Sequence, residues 1–130
     1  MNDPMNTHGA FSWSELATAN VDGAKSFYTE LLGWETDEMP MPDGGIYQMM
    51  KVGGQPVCGI MKLPSNAPKG APPMWTSYIT VDNVEATIKK AEKMGAKSIT
   101  PLMDVPEVGK FCHLQDPQGA VFAVITYSKK

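Results

Sequence analysis

The sequence contains no arginine, and that absence excludes more than any single residue it contains. All eleven basic residues are lysine, so no side chain offers the planar guanidinium fork that reads guanine edges or clamps phosphates and carboxylates in a bidentate grip. With a formal net charge of -3 and a pI near 5.3, the chain is not expected to bind nucleic acid. Cysteine is almost as scarce. Cys58 and Cys112 are too few for a disulfide framework and lack zinc-finger spacing, so both are read as reduced, buried, small hydrophobes. No apolar run approaches the ~18 residues of a membrane span. The segment Met1 to Gly9 has neither a basic nor an apolar leader region, and a cytoplasmic protein with no membrane partner is expected. No glycine-rich phosphate loop exists either, because Gly53-Gly54 reads as a hairpin turn and not as a strand-to-helix cradle.

What is present is an ordinary globular composition with one excess. The 130 residues suit one compact domain or two small halves sharing a core. Hydrophobic residues make up 42% and charged residues 19%, which excludes disorder. Ten methionines point to an adaptable apolar lining or to plain core filler. Met39, Met41, Met49, Met50, Met61, Met74 and Met103 fall on expected strands and loops, which favours the lining.

The most informative pattern is an internal repeat. Laid against each other at one offset, Trp13 falls on Trp75, Thr18 on Thr80, Asn20 on Asp82, Ala24 on Ala86 and Gly33 on Gly95. Each match stands where a structural signal is needed. Asn20 and Asp82 are suitable helix N-caps, and Glu85 follows Asp82 at capping-box spacing. Ala24, Phe27, Tyr28 and Leu31 then form one helical stripe, and Val84, Ile88 and Ala91 another. Gly33 and Gly95 end the helices. Three strand-like runs follow the first helix, Trp34 to Glu38, Gly45 to Val52 and Pro56 to Leu63, with a turn over Met39 to Gly44. The order recurs after Gly95 with Lys97 to Thr100, a loop from Pro101 to Gly109, Lys110 to Gln115 and Ala120 to Tyr127. Each half therefore reads βαβββ, module one over 10–63 and module two over 74–128, joined by the proline-rich linker 64–73. A ferredoxin-like fold leaves room for only two strands between its helices and is the weaker alternative.

These residues resemble the vicinal oxygen chelate superfamily, the glyoxalase, bleomycin-resistance and extradiol-dioxygenase group. The carriers are the first strand ending before Asn20, the helix with Phe27-Tyr28 and Leu31-Leu32-Gly33-Trp34, and the closing hairpin Asp116-Pro117-Gln118-Gly119-Ala120-Val121-Phe122. The resemblance implies an α+β fold in which two paired βαβββ modules make a curved, cup-shaped mixed sheet with helices outside. It also implies a small-molecule ligand or substrate on the concave face and a homodimer. Metal-dependent members carry a histidine on the first strand and a glutamate on the last strand of each module. Here those positions hold Trp13, Trp75, Gly59 and Ala123, none of which can ligate a divalent cation, so no metal or other cofactor is expected.

Strand alternation then assigns the cup. If Trp13 and Trp75 point inward, so do Glu15, Ala17, Ser77 and Ile79, while Leu16 and Tyr78 face the helices. Val121, Ala123 and Ile125 line the cup, Phe122 and Val124 pack beneath the helices, and Phe111, His113 and Gln115 point inward. The expected ligand-binding set is Trp13, Glu15, Met61, Trp75, Ser77, Phe111, His113 and Gln115, an apolar cavity with sparse polar groups. Glu15 and His113 are the candidate catalytic pair, since a desolvated carboxylate can serve as a general base. His8 is read as lying in a mobile tail, and Lys89, Lys90, Lys93 and Lys97 as a solvated helix side. Three functions compete: metal-free binding of an apolar or aromatic molecule, a metal-independent isomerase or lyase using Glu15, and a metal-dependent glyoxalase or dioxygenase.

Overall fold

The computed structural model describes residues 3–41, 45–63, 71–106 and 108–128. Nine strands and two α-helices follow in the order β1 (Phe11–Thr18), α1 (Val21–Leu32), β2 (Glu35–Pro40), β3 (Ile46–Val52), β4 (Gln55–Lys62), β5 (Met74–Thr80), α2 (Val84–Lys93), β6 (Lys97–Ser98), β7 (Met103–Val105), β8 (Gly109–Gln115) and β9 (Val121–Tyr127). This is the expected α+β order with one addition. The stretch read as a loop from Pro101 to Gly109 contains the short strand β7, which pairs with β8. Residues 64–70 of the proline-rich linker and 42–44 of the expected turn lie outside the described residues, while Met39 and Pro40 end β2. The chain gathers into two compact units, one of Ser14–Thr76 and one of Met1–Trp13 with Ser77–Lys130.

In the unit Ser14–Thr76 the strands run β2-β3-β4-β1. β4 is parallel to β1 and antiparallel to β3, and the register sets Glu15 beside Gly59 and Gly59 beside Met49. Asn20 caps α1 as expected, its side chain accepting the Gly23 N–H at 2.9 Å. Gly33 ends the helix at a φ of 74°, where a side chain would be strained. The helix covers one face of the sheet, over a core of Leu16, Met50, Cys58 and Ile60 to which Val21, Ala24, Tyr28 and Trp34 are packed. Two members of the expected stripe are not part of this core. Phe27 and Leu31 are 58% and 62% exposed, because the buried face runs through Val21, Ala24 and Tyr28 and leaves the neighbouring Phe27 and Leu31 positions on the helix flank.

In the other unit the strands run β5-β9-β8-β6, with β5 parallel to β9. Helix α2 packs Val84, Ile88 and Ala91, the expected stripe, on Val81, Cys112, Leu114 and Val124, with Phe122 beside them. Its N-cap is one residue later than expected. The Asn83 side chain accepts the Ala86 N–H at 3.0 Å, whereas the Asp82 N–H donates to His8 Nδ1 at 2.9 Å. Glu85 accordingly makes no capping box and pairs with Lys110 at 3.1 Å. The same bond removes His8 from any loose tail. The segment before β1 is fastened by Gly9 N–H to the Thr80 carbonyl at 2.7 Å and Thr80 Oγ1 to the Pro4 carbonyl at 2.7 Å, and the start of β1 by Ser12 Oγ to Tyr127 Oη at 2.7 Å. Lys89, Lys90, Lys93 and Lys97 are exposed as expected. No helix among the described residues is long and apolar enough to cross a membrane.

Candidate functional site

The helices leave one sheet face of each unit uncovered, and six of the eight residues expected from sequence divide over these two faces. In the unit Ser14–Thr76, Leu16, Cys58 and Ile60 belong to the core under α1, so alternation turns Glu15, Gly59 and Met61 to the helix-free face. Glu15 is buried there, at 8% exposure. A Cβ built on Gly59 would fall inside the phenol of Tyr47, closest to its hydroxyl. Glycine is therefore required at this point of β4, because the Tyr47 ring lies directly over the backbone. Met49, adjacent to Gly59 in register, shares the face, and toward β2 it carries the ion pair of Lys51 with Asp37.

In the other unit the helix-free face is aromatic. Tyr78, Ala123 and Ile125 form a buried cluster against which Trp13, Phe111 and Tyr127 pack. Ala123 is opposite both Tyr78 on β5 and His113 on β8. Its small side chain lets the rings meet above it, Tyr78 standing edge-on to His113 at 5.6 Å and to Phe111 at 5.9 Å between centroids. Tyr78 Oη is 3.5 Å from His113 Nε2, the outer limit of a hydrogen bond. His113 Nδ1 is buried and has no hydrogen-bond partner among the described residues. Gln115 shares this side of β8 and donates from Nε2 to the Gly119 carbonyl at 3.2 Å.

Burial pushes the His113 pKa below its usual 6.5, because desolvation penalises the imidazolium. The unfolded chain therefore binds the proton more tightly. Stability is fully present above about pH 6.5 and declines as the pH falls through the lowered folded value. Urea unfolding at pH 7.5 and pH 5.5 is expected to show this loss in the wild type and a smaller one in His113→Leu; equal losses would contradict it. Burial also raises the thiols, Cys58 to about 11 and Cys112 in the same direction. Both are free and buried, as read from sequence.

Trp13, Glu15, Met61, Phe111, His113 and Gln115 thus lie on helix-free faces, and Trp75 and Ser77 do not. Trp75 packs on the α1 side, donating Nε1–H to Tyr28 Oη at 3.2 Å and standing edge-on to Tyr28 and Trp34 at 5.5 and 6.5 Å. Tyr78, expected beneath the helices, takes the helix-free face, and alternation sends Ser77 and Ile79 away from it. The cause is the one-residue shift at the second N-cap. With Asn83 and not Asp82 equivalent to Asn20, the partner of Trp13 is Thr76, and every side chain of β5 changes face. Met50 is likewise core filler, fully buried under α1. Tyr47 alone is absent from the sequence-based set, whereas Tyr78 is expected on the opposite face and Met49 only among the methionines of the lining. A glycine among the apolar residues of β4 was the available signal for Tyr47, since such a glycine marks close approach of another group.

The corrected register leaves the family's metal positions at Trp13, Thr76, Gly59 and Ala123. They do not fit a divalent cation: the tryptophan has only a donor nitrogen, Gly59 and Ala123 have no donor atom, and the Tyr47 phenol fills the space above Gly59. Among the described residues, no three His, Cys, Asp or Glu side chains gather at one point.

Comparison with known proteins agrees with this architecture. The family model described as Glyoxalase/Bleomycin resistance protein/Dioxygenase superfamily matches residues 10–124. "Putative glyoxylase CFP32" of Mycobacterium bovis is 39% identical over 113 residues, 86% of this chain and 43% of that protein. Anthracycline biosynthesis protein DnrV of Streptomyces peucetius is 32% identical over 127 residues, 89% of this chain and 46% of that protein. The chain therefore spans about half the length of these curated relatives. Among solved structures, methylmalonyl-CoA epimerase from Mycobacterium tuberculosis shares the fold with a TM-score of 0.68 at 14% identity, covering 95% of this chain and 92% of its own. Strand order, repeat and matched span together assign the chain to the glyoxalase/bleomycin resistance protein/dioxygenase superfamily.

Proposed function

We propose that the protein binds a small planar aromatic molecule bearing hydroxyl or carbonyl oxygens, without a metal ion, on the helix-free face formed by β5, β9 and β8. The observation that carries this reading is the aromatic set Trp13, Tyr78 and Phe111 around the small Ala123, with the unpartnered Nδ1 of His113 beside it. Flat rings are met by aromatic walls through stacking and edge contacts. A histidine kept neutral by burial has one donor and one acceptor nitrogen for the ligand's oxygens. The name of DnrV adds chemical direction, since anthracyclines are built on a hydroxylated planar ring system. Calorimetric titration with a soluble dihydroxyanthraquinone is expected to give a Kd on the order of 10 μM. Trp13→Ala should weaken it by roughly tenfold or more. No measurable binding, or equal affinity in the variant, would count against this reading.

A second reading rests on Glu15. A carboxylate at 8% exposure on the helix-free face of the other unit is the kind of group that abstracts a proton from an acidic C–H or O–H. On this reading the protein is a metal-independent isomerase or lyase with Glu15 as its base.

A further inference from the structure

The residue that accompanies Glu15 belongs to no motif recognised in the sequence. Gly59 is the in-register neighbour of Glu15 across the parallel pair β1/β4, so their side-chain positions project from the same face, about 5 Å apart. The space a Gly59 side chain would fill is occupied by Tyr47, with Oη the atom nearest its Cβ position, followed by Cζ and Cε2. The phenol hydroxyl is thereby delivered to the position beside the Glu15 side chain. We infer that Tyr47 is the positioning residue for Glu15, its O–H donating to the Glu15 carboxylate and holding it on the helix-free face.

The inference rests on the second reading for its function but not for its geometry. Gly59 is what makes it possible: any larger residue would expel the ring, so the loss of a side chain at a family metal position and the gain of a tyrosine there are one structural event. The same exchange recurs in the other unit, where small Ala123 lies between Tyr78 and His113. In both places a hydroxyl and a proton acceptor occupy ground where metal-dependent relatives keep a ligand. A donor hydrogen bond favours the ionised form of a carboxylate, so Tyr47 would help keep Glu15 available as a base.

The test is a titration of the glutamate side chains by carboxyl-carbon NMR on the intact protein, with Glu15 assigned by its loss in Glu15→Gln. Tyr47→Phe is expected to raise the Glu15 midpoint by about 0.5–1 pH unit, a roughly three- to tenfold change in acid constant. Gly59→Ala should act in the same direction by displacing the ring. Tyr127→Phe, which alters a phenol of the other unit, should leave the midpoint unchanged. Among the described residues, the other ionisable groups that the register places on this face are Lys51, Asp37 and Glu35, and all are retained in every variant. An unmoved midpoint in Tyr47→Phe would overturn the pairing, whether or not a reaction is found. A shifted midpoint in a protein that turns nothing over would uphold the pairing and count only against the enzymatic reading.

Discussion

Replacing Glu15 by glutamine is expected to slow any reaction at its sheet face by about 10²–10⁴-fold, the usual contribution of a general base. Glutamine preserves the shape and volume of the side chain but has no oxygen able to take and keep a proton. Binding of the aromatic ligand, which depends on Trp13, Tyr78 and Phe111, should remain within about threefold, since the substitution keeps the side-chain shape and leaves the aromatic set intact. The measurement is a screen for isomerase or lyase turnover with wild type and Glu15→Gln, run beside the calorimetric titration. Turnover at equal rates in both proteins would remove Glu15 as the base. Turnover lost with affinity retained would identify a transition-state role and not a ground-state one.

The second large effect concerns stability. Gly109 opens β8 at a φ of 144°, and a Cβ there would overlap the Thr126 carbonyl oxygen and approach Tyr127 Cα to 2.8 Å. Both contacts are backbone of the neighbouring strand β9, which has no flexible end to swing aside. Gly109→Ala is expected to destabilise the fold by roughly 2–4 kcal/mol, combining an unfavourable backbone conformation with steric displacement of β9. Gly53→Ala provides the contrast. That glycine also has positive φ, 56°, but nothing lies within 4 Å of its Cβ position, so its cost should stay near about 1–2 kcal/mol. Urea unfolding of both variants checks the difference; equal midpoints would show that the close approach at Gly109 carries no energy. Because Tyr127 Oη meets Ser12 Oγ at 2.7 Å, displacement of β9 at Tyr127 would also disturb the anchoring of the segment leading into Trp13.

The fold was legible in the sequence because it is written in redundant signals. Asn20, Gly33, the Val84-Ile88-Ala91 stripe and the alternation of β8 and β9 each specify local structure, and they agree with one another. The candidate site was legible only in part because its face assignment hung on a single residue of register. Asn83 and Asp82 are both competent caps, and a register set by Asp82 in place of Asn83 exchanges Trp75 for Tyr78. Alternation has a period of two, so an error of one inverts a whole strand. Strands anchored by independent signals did not suffer: Cys112 and Leu114 beneath α2 fixed Phe111 and His113 on the opposite side. The Tyr47 placement was out of reach for another reason. It depends on β3 lying beside β4 in one particular register, a long-range fact that local periodicity does not contain. The outward turn of Phe27 and Leu31 belongs to the same class, since a helical stripe wider than its buried face leaves open which residues go under.

On the proposed reading the aromatic ligand binds the helix-free face bearing Trp13, Tyr78 and Phe111, and not the aromatic cluster of Tyr28, Trp34 and Trp75 packed with α1. The three tryptophans report on this directly, because Trp13 lies in the first group and Trp34 and Trp75 in the second. Titration of uniformly ¹⁵N-labelled protein with the dihydroxyanthraquinone, followed through the three indole N–H signals, separates the faces in one experiment. The Trp13 signal is expected to shift and saturate while those of Trp34 and Trp75 stay in place. Saturable movement of Trp75 and Trp34 with Trp13 unmoved would contradict it.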